Sequence, residues 1–197
     1  MTSWGSGALE RYSNAVRSTS QRAVLDAALA LVDEGGLDAV TISALTARSG
    51  VSNGSVYHHF GSRAGLFAVL YGESFAHCVA AMTPALDVGD AEKAVRAVVA
   101  RYLEWVAAHP GRARLLYTAP STADPEVKAA LFEPVARWFA ARMAAGEVRE
   151  IPLWALDPVV MGPAHECARR YLTGGLDLTV AGDLVGDAVW AAVAPVG

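Results

Sequence analysis

Residues 41–66, TISALTARSGVSNGSVYHHFGSRAGL, decide the fold of this chain. Thr41 can cap a first helix with its hydroxyl, and Gly50 ends that helix because glycine adopts positive φ without a Cβ clash. Ser52 then caps a second helix of about two turns. Two helices joined by a short turn that contains glycine are typical of a helix-turn-helix, whose second helix enters the major groove of DNA.

The second helix carries small polar side chains opposite its apolar anchors, Val56 and Phe60. Asparagine bonds adenine through both ends of its amide, serine donates or accepts, and glycine lets the backbone approach closely. The aromatic, imidazole and guanidinium groups that follow are placed to touch phosphate. The candidate DNA-binding residues are therefore Thr41, Ser43, Ser52, Asn53, Gly54, Ser55, Tyr57, His58, His59 and Arg63. A structural corner with a solvated polar face is the alternative.

The run from Val51 to Leu66 resembles the signature of TetR-family transcriptional regulators, V-S-x-G-[ST]-[LV]-Y-x-[HY]-F followed by a short loop, a basic residue and a leucine. The preceding helix resembles the family's T-[VI]-x-x-[IL]-A-x-x-[AS]-G. Thr46 and Ser49 stand where alanine is commoner, and Arg63 replaces the commoner lysine, which exchanges a point charge for a planar fork. The resemblance implies a bacterial DNA-binding regulator.

The composition favours a globular protein with a large core, since 53% of the 197 residues are apolar. We expect no apolar run as long as a membrane span and no secretion signal, and therefore a cytoplasmic protein without a membrane partner. Cys78 and Cys167 lie far apart in the sequence and form no CxxC pair. They are expected to be buried free thiols; a redox pair or a zinc site is the alternative.

The net charge of −4 lies in the second part of the chain. Residues 1–65 carry five arginines and five acidic residues, and the remainder carries 11 basic against 15 acidic residues. The basic footprint of the predicted DNA-binding part is therefore modest. We expect DNA affinity to depend on dimerisation and to fall quickly with salt.

The apolar spacing predicts an all-α protein with an N-terminal three-helix DNA-binding domain and a larger C-terminal helical domain. We expect a flexible tail at residues 1–18, the helix-turn-helix domain at 19–65, and an effector-binding and dimerisation domain at 66–197. In the tail, Arg11 and Arg17 either reach DNA or stay solvated.

All prolines lie from Pro84 onward and punctuate the helices of the second part. Pro134 is expected to kink its helix or split it in two, because proline removes a helical hydrogen bond. Pro158 and Pro163 are expected to break or kink the next helix. The last helix is predicted over residues 178–194.

The last two helices, at about 158–173 and 178–194, are rich in alanine, valine and glycine and poor in charge. Such faces from two chains would form a four-helix interface with two-fold symmetry, and reading two half-sites needs such a homodimer. The family resemblance implies the same arrangement; intramolecular core is the alternative. The candidate interface residues are Leu172, Leu184, Val185, Ala188, Val189 and Ala192.

Bulky side chains at helical spacing occupy the middle of the chain, where their default meaning is core. The resemblance implies a ligand cavity among these helices, and apolar walls suit a hydrophobic or aromatic small molecule. His165 is the most ligand-like polar group, unless it is a satisfied core histidine. The candidate pocket residues are Tyr102, Trp105, Leu116, Phe132, Trp138, Phe139, Met143, Met161, His165 and Tyr171.

An enzyme is the competing class, because His77-Cys78 and His165-Glu166-Cys167 bring reactive groups together in sequence. Adjacent helical residues point apart, however, and neither a histidine pair at i, i+4 nor a nucleophile elbow occurs. We therefore expect no enzymatic activity, catalytic residue, metal or cofactor. The predicted function is a repressor that a small, largely apolar ligand releases from a palindromic operator in double-stranded DNA. A constitutive DNA-binding dimer without an effector is the alternative.

Overall fold

The computed structural model describes residues 18–118 and 125–195. Every regular element in these two ranges is helical, which confirms the all-α prediction. The chain forms two compact units. The first consists of Met1–His77 and His109–Leu131, and the second of Cys78–Ala108 and Phe132–Gly197. Apart from Ser18, the predicted tail with Arg11 and Arg17 lies outside the described residues.

The α-helices follow one another with short connections. In chain order they are α1 (Thr19–Gly35), α2 (Ile42–Ser49), α3 (Asn53–Phe60), α4 (Arg63–Met82), α5 (Ala91–Ala108), α6 (Pro110–Thr118), α7 (Pro125–Ala144), α8 (Leu153–Leu156), α9 (Gly162–Leu172) and α10 (Gly182–Val193). Three 3-10 turns, at Leu37–Ala39, Thr83–Asp87 and Leu178–Val180, complete the helical segments together with a π-helical turn at Asp157–Met161.

Local capping sets the helices of the predicted helix-turn-helix. The backbone N–H of Ala44 donates to Thr41 Oγ1 over 3.1 Å at the start of α2, and the N–H of Ser55 donates to Ser52 Oγ over 3.2 Å at the start of α3. Gly50 lies between the two helices with φ of 70° in the left-handed region. The predicted caps and helix stop are thus confirmed.

The first unit has a hydrophobic core to which α1, α2, α3, α4 and α6 all contribute. Its fully buried members include Leu25 of α1, Leu45 of α2 and Leu70 of α4. Leu115 of α6 lies in the same core and is also fully buried. The sequence assigned α6 to the second part of the chain, whereas its apolar face completes the core of the first. The domain boundaries at residues 18 and 65 divide the chain by function and stay predictions.

Proline affects the second part less than expected. Helix α7 continues from Pro125 to Ala144 with Pro134 inside it, so of the two predicted outcomes, a kink or a split, the split does not occur. Proline removes one hydrogen bond of a helix, and the remaining bonds hold α7 together. At Pro158 the helix does not stop either, but continues through the π-helical turn into α9. The predicted last helix begins as a 3-10 turn before α10.

Helix α4 and the turn after it are, by length and composition alone, apolar enough to cross a membrane. This corrects the expectation that no apolar stretch reaches that length. Leu66 and Leu70 of α4 are buried in the core of the first unit, and Glu73 is buried beside Arg22, with Oε2 and Nη1 3.6 Å apart. Buried leucines and a buried carboxylate that is paired with an arginine are typical of a core helix in a globular protein.

Candidate nucleic-acid interface

Helix α3 is anchored by its apolar face and exposes the opposite one. Val56 and Phe60 are 3% and 9% exposed in the core of the first unit. Ser52, Asn53 and Gly54 are exposed at the start of the helix. Because the anchors fix the rotation of α3 about its axis, the polar start of the helix has a defined direction. This is the arrangement that a DNA-reading helix needs.

Some of the residues at the start of α3 cap the helix, and others can contact DNA. Ser52 Oγ accepts the N–H of Ser55 and lies 3.0 Å from Ser55 Oγ, so these two hydroxyls already serve the helix. Asn53 makes no side-chain hydrogen bond within the part of the chain that the structure describes. A Cβ added at Gly54 would meet no atom within 4 Å. Asn53 and the backbone at Gly54 are therefore the groups available to a base edge.

The other predicted contacts lie at the start of α2 and the end of α3. Thr41 and Ser43 are exposed, and the Ser43 carbonyl accepts the hydroxyl of Thr46 over 2.9 Å. Tyr57 is 48% exposed, which is unusual for a large aromatic side chain, and His58 is exposed beside it. These side chains are accessible to a phosphate backbone.

His59 is less accessible than predicted. Its Nε2 lies 2.8 Å from Ser20 Oγ, which ties the end of α3 to α1, and its ring packs edge-on against Phe60. One ring nitrogen therefore already has a partner inside the protein. A contact from His59 to DNA would have to use the other nitrogen.

The arginines between residues 18 and 65 all bond within the protein. Arg22 lies beside Glu73, and Arg48 donates to both carboxylate oxygens of Glu34 over 2.7 and 2.5 Å. These hydrogen bonds hold the pKa of Glu34 below its usual value. Arg63 donates from Nε to the Val40 carbonyl and from Nη2 to the Leu37 carbonyl. The two ion pairs cancel much of the positive charge that the sequence suggested for phosphate binding.

Thr46 and Ser49, which stand where alanine is commoner in the family signature, both form hydrogen bonds through their hydroxyl groups. Ser49 Oγ donates to the Leu45 carbonyl over 2.6 Å and accepts the N–H of Val51 over 3.2 Å. It therefore links the last turn of α2 to the connection before α3, which alanine cannot do. Thr46 bonds back to its own helix. A sequence pattern does not reveal such bonds, because the hydroxyl has several backbone partners to choose from.

The candidate pocket residues are distributed over both units. Leu116 is half-buried in the first, and the others lie in the second. Tyr102 packs against Trp105 with ring centroids 6.5 Å apart and against His165 at 5.2 Å, whereas Trp138 packs edge-on against Phe139 at 4.9 Å. Tyr102, Trp105, Phe139 and Met161 are buried, and Phe132, Trp138, Met143, His165 and Tyr171 are half-buried.

Two polar groups lie among these apolar side chains. Burial lowers the pKa of His165, and the carboxylate of Asp157 opposes that shift. The indole Nε1 of Trp138 is buried and has no hydrogen-bond acceptor among the described residues. Met143 is engaged, because its sulfur accepts the N–H of Ile151 over 3.2 Å.

The candidate interface residues divide between the surface and the core of the second unit. Leu184 is 71% exposed, and Ala188 is exposed one turn later. Val185 and Val189 are buried within the protomer, because they face the other side of α10. Leu172 and Ala192 are half-buried. The sequence analysis did not predict Val180 as an interface residue. Val180 is as exposed as Leu184 and lies four residues before it.

The groups considered for enzymatic chemistry are His77-Cys78 and His165-Glu166-Cys167. Among the residues that the structure describes, no group of three or more His, Cys, Asp or Glu side chains could hold a metal ion. Burial raises the pKa of the Cys78 thiol to about 12, which suppresses the thiolate that a nucleophile needs. His77 instead packs against His109, with ring centroids 4.8 Å apart. Cys78 and Cys167 are free thiols, and Cys78 is buried as expected, whereas Cys167 is only half-buried.

Comparison with known proteins finds a family match within the first unit and known structures with the same fold. Residues 24–70 match the family described as bacterial regulatory proteins, tetR family. No curated protein sequence matches the chain. The matched residues contain α2 and α3 with the exposed start of α3, so the predicted family resemblance is confirmed for the DNA-binding part.

The similarity to solved structures with the same fold extends over nearly the whole chain. A TetR-family transcription regulator from Marinobacter aquaeolei VT8 is 18% identical, with a TM-score of 0.73, covering 90% of this chain and 97% of that one. A protein of unknown function from Rhodococcus sp. RHA1 is 22% identical, with a TM-score of 0.75 and coverages of 92% and 99%. FadR from Bacillus subtilis, solved with stearoyl-CoA, is 16% identical, with a TM-score of 0.69 and coverages of 85% and 96%.

Proposed function

We propose that this chain, which has the DNA-binding domain and the fold of a TetR-family transcription regulator, is a dimeric repressor that binds a palindromic operator. The observation that carries the proposal is the exposed, polar start of α3 on its buried anchors Val56 and Phe60. A small, largely apolar ligand in the second unit would release the protein from DNA. The protein would act in the cytoplasm, where it meets the DNA.

Recognition would combine a few base contacts with contacts to the backbone of the duplex. Asn53 supplies an amide that can bond adenine through both ends, and Gly54 lets the helix approach the base edges. Ser52 and Ser55 hold the start of α3 and offer their remaining hydrogen-bonding capacity. Thr41, Ser43, Tyr57, His58 and His59 would contact phosphate and fix the position of the protein on the duplex.

Dimerisation would use the exposed apolar stripe of the second unit. Leu184 and Ala188 lie four residues apart on one face of α10, and Val180, in the 3-10 turn before it, is as exposed as Leu184. Val185 and Val189 support this stripe from the core. The same patch on two chains forms a two-fold interface, which matches the two-fold symmetry of a palindromic site.

An apolar effector agrees with the side chains of the second unit. Tyr102, Trp105 and Phe139 supply aromatic surface, and His165 and Trp138 supply the polar groups that would orient a ligand. FadR from Bacillus subtilis, which shares this fold, was solved in complex with stearoyl-CoA, a ligand with a long apolar chain, and this supports an apolar effector here. A constitutive dimer without an effector remains the second candidate, since the buried aromatic side chains also form core.

The proposal is tested by titrating purified protein against the DNA immediately upstream of its own gene and against an unrelated duplex of equal length. Tight binding to the upstream DNA alone, by a species with the mass of a dimer, would support the proposal. Equal and weak binding to both, repeated with duplexes tiled across neighbouring promoters, would contradict it. Release of the upstream duplex by stearoyl-CoA or free stearate would support an apolar effector.

A further inference from the structure

We propose that Arg63 is a positioning residue for DNA recognition, which holds the start of α2 through its planar guanidinium, and is not a phosphate contact. The proposal rests on the proposed DNA-binding function. Arg63 Nε donates to the Val40 carbonyl over 3.0 Å, and Nη2 donates to the Leu37 carbonyl over 2.7 Å. Both distances are those of well-formed charge-assisted hydrogen bonds.

The two carbonyls lie in the connection that leads into α2. Leu37 opens the 3-10 turn, and its carbonyl also accepts the N–H of Val40 over 3.2 Å. Val40 is fully buried and directly precedes Thr41, the cap of α2. Arg63 therefore fixes the peptide next to the cap, and the direction in which α2 leaves the turn depends on it.

A third contact involves the guanidinium and an aromatic ring. Arg63 Cζ lies 5.0 Å from the ring centroid of Phe67, one turn further along α4. The side chain is thus held by two hydrogen bonds and by a cation–π contact. A group with so many partners inside the protein has a restricted orientation, and reaching a phosphate with the same edge would break these bonds.

Lysine cannot replace this arrangement. Its single nitrogen can move between acceptors, but it lacks the rigid fork that reaches two carbonyls at once and the plane that packs on a ring. The departure of this chain from the commoner lysine therefore has a structural use. It also leads to a test, because a phosphate contact tolerates the exchange of arginine for lysine and the proposed role does not.

DNA recognition would depend on the connection that Arg63 holds, because this connection leads into α2. Thr41 and Ser43 are exposed at the start of α2, and the last turn of α2 is linked by Ser49 to the connection before α3. A change in the start of α2 therefore displaces predicted backbone contacts and alters the support of α3. Arg63 would act on DNA through these residues, without touching it.

The experiment compares full-length wild type with Arg63→Lys and Arg63→Met, and uses Arg137→Lys as the matched control. Arg137 forms an exposed ion pair with Glu133 in the second unit, so its exchange alters an arginine without affecting the connection. The DNA is a duplex selected by the wild type from a random-sequence library. Affinity is measured over a range of salt concentrations, and amide hydrogen exchange is followed at residues 37–49.

We expect Arg63→Lys and Arg63→Met each to lower the affinity about tenfold, the effect of losing charge-assisted hydrogen bonds of this kind. The slope of log K against log salt should stay as in the wild type, because no contact between a charged side chain and a phosphate is lost. Exchange should become faster at residues 37–44 in both variants. Arg137→Lys should change none of these quantities.

Two results together would overturn the proposal, because both are typical of a phosphate contact. Arg63→Lys would bind with wild-type affinity, and in Arg63→Met the salt slope would fall by about 0.9 for each DNA-binding domain of the dimer. Unchanged exchange at residues 37–44 in both variants would overturn it as well. If the wild type selects no sequence, the proposed function fails, and the exchange measurement still decides whether Arg63 holds the connection.

Discussion

Leu115 of α6 is fully buried in the same hydrophobic core as Val56 of α3, the helix proposed to read DNA. The helix-turn-helix segment is thus not complete by itself, since a helix from much later in the chain closes its core. Arg114 lies beside Asp33 of α1, with the charged atoms 3.7 Å apart, and Gly111 packs where a Cβ would meet the Asp33 carboxylate. The stability of the helix-turn-helix therefore depends on the position of α6.

Leu115→Ala should lower the free energy of unfolding by about 2 to 5 kcal/mol, because it leaves a cavity among fully buried side chains. Urea unfolding followed by circular dichroism measures the loss, and hydrogen exchange should locate the weakened amides in α1 to α3. Leu116→Ala, at a half-buried neighbour in the same helix, is the control and should have the smaller effect. Equal losses would show that Leu115 has no special place in the core.

Gly65→Ala should destabilise the junction of α3 and α4. A Cβ at Gly65 would lie 2.1 Å from the carbonyl oxygen of Phe60, so the backbone has to move, at about 1 to 3 kcal/mol. Thermal unfolding measures the change, and DNA affinity should fall with it. Gly162→Ala is the matched control, since a Cβ there meets no atom within 4 Å. A Gly65→Ala protein as stable as the control would disprove this close approach.

Asn53→Ala should relax the base preference at one position of each half-site, with discrimination falling by about 1 to 3 kcal/mol. Binding to duplexes that vary one base pair at a time measures this preference. Tyr57→Ala is the contrast, because loss of a backbone contact should weaken binding to all sequences about equally. An unchanged base preference in Asn53→Ala would show that the reading surface is assigned to the wrong residues.

Leu184→Glu should convert the dimer to a monomer, because it places a charge in the exposed apolar stripe on α10. Sedimentation equilibrium gives the mass, and affinity for a palindromic site should fall while helix content is kept. Asp183→Asn, at an exposed neighbour, should leave the dimer intact. A dimeric Leu184→Glu protein would place the interface elsewhere.

His165 should make the protein less stable in mild acid. Burial lowers the pKa of His165 in the folded state, so below about pH 6.5 the unfolded chain binds the proton more readily and the free energy of unfolding falls. In His165→Gln this part of the pH dependence should disappear. His58→Gln, at an exposed imidazole, is the control. If the pH dependence of His165→Gln equalled that of the wild type, burial of the imidazole would have no effect on stability.

Local features of the sequence predicted the local features of the structure. Thr41, Gly50 and Ser52 specify the helix-turn-helix because each acts on backbone groups within four residues of itself. Val56 and Phe60 were assignable to the buried face by their spacing alone. The family signature then added the DNA-binding function.

Contacts between distant parts of the chain could not be predicted in the same way. The bonds of Arg63 to carbonyls of the preceding connection and the insertion of Leu115 into the core depend on how the helices pack. The division of α10 into exposed Leu184 and buried Val189 depends on which face meets the rest of the second unit. Apolar composition predicts that these side chains are buried somewhere, and only packing decides where.

The role of α3 in reading DNA is tested most directly by selecting binding sites for the purified protein from a library of random duplexes. The recovered sequences should converge on a palindrome whose half-sites lie about one helical turn, or a multiple of it, apart, since two α3 helices would enter successive major grooves. Recovered sequences without a shared motif, from protein shown to be folded, would contradict the claim that α3 reads DNA.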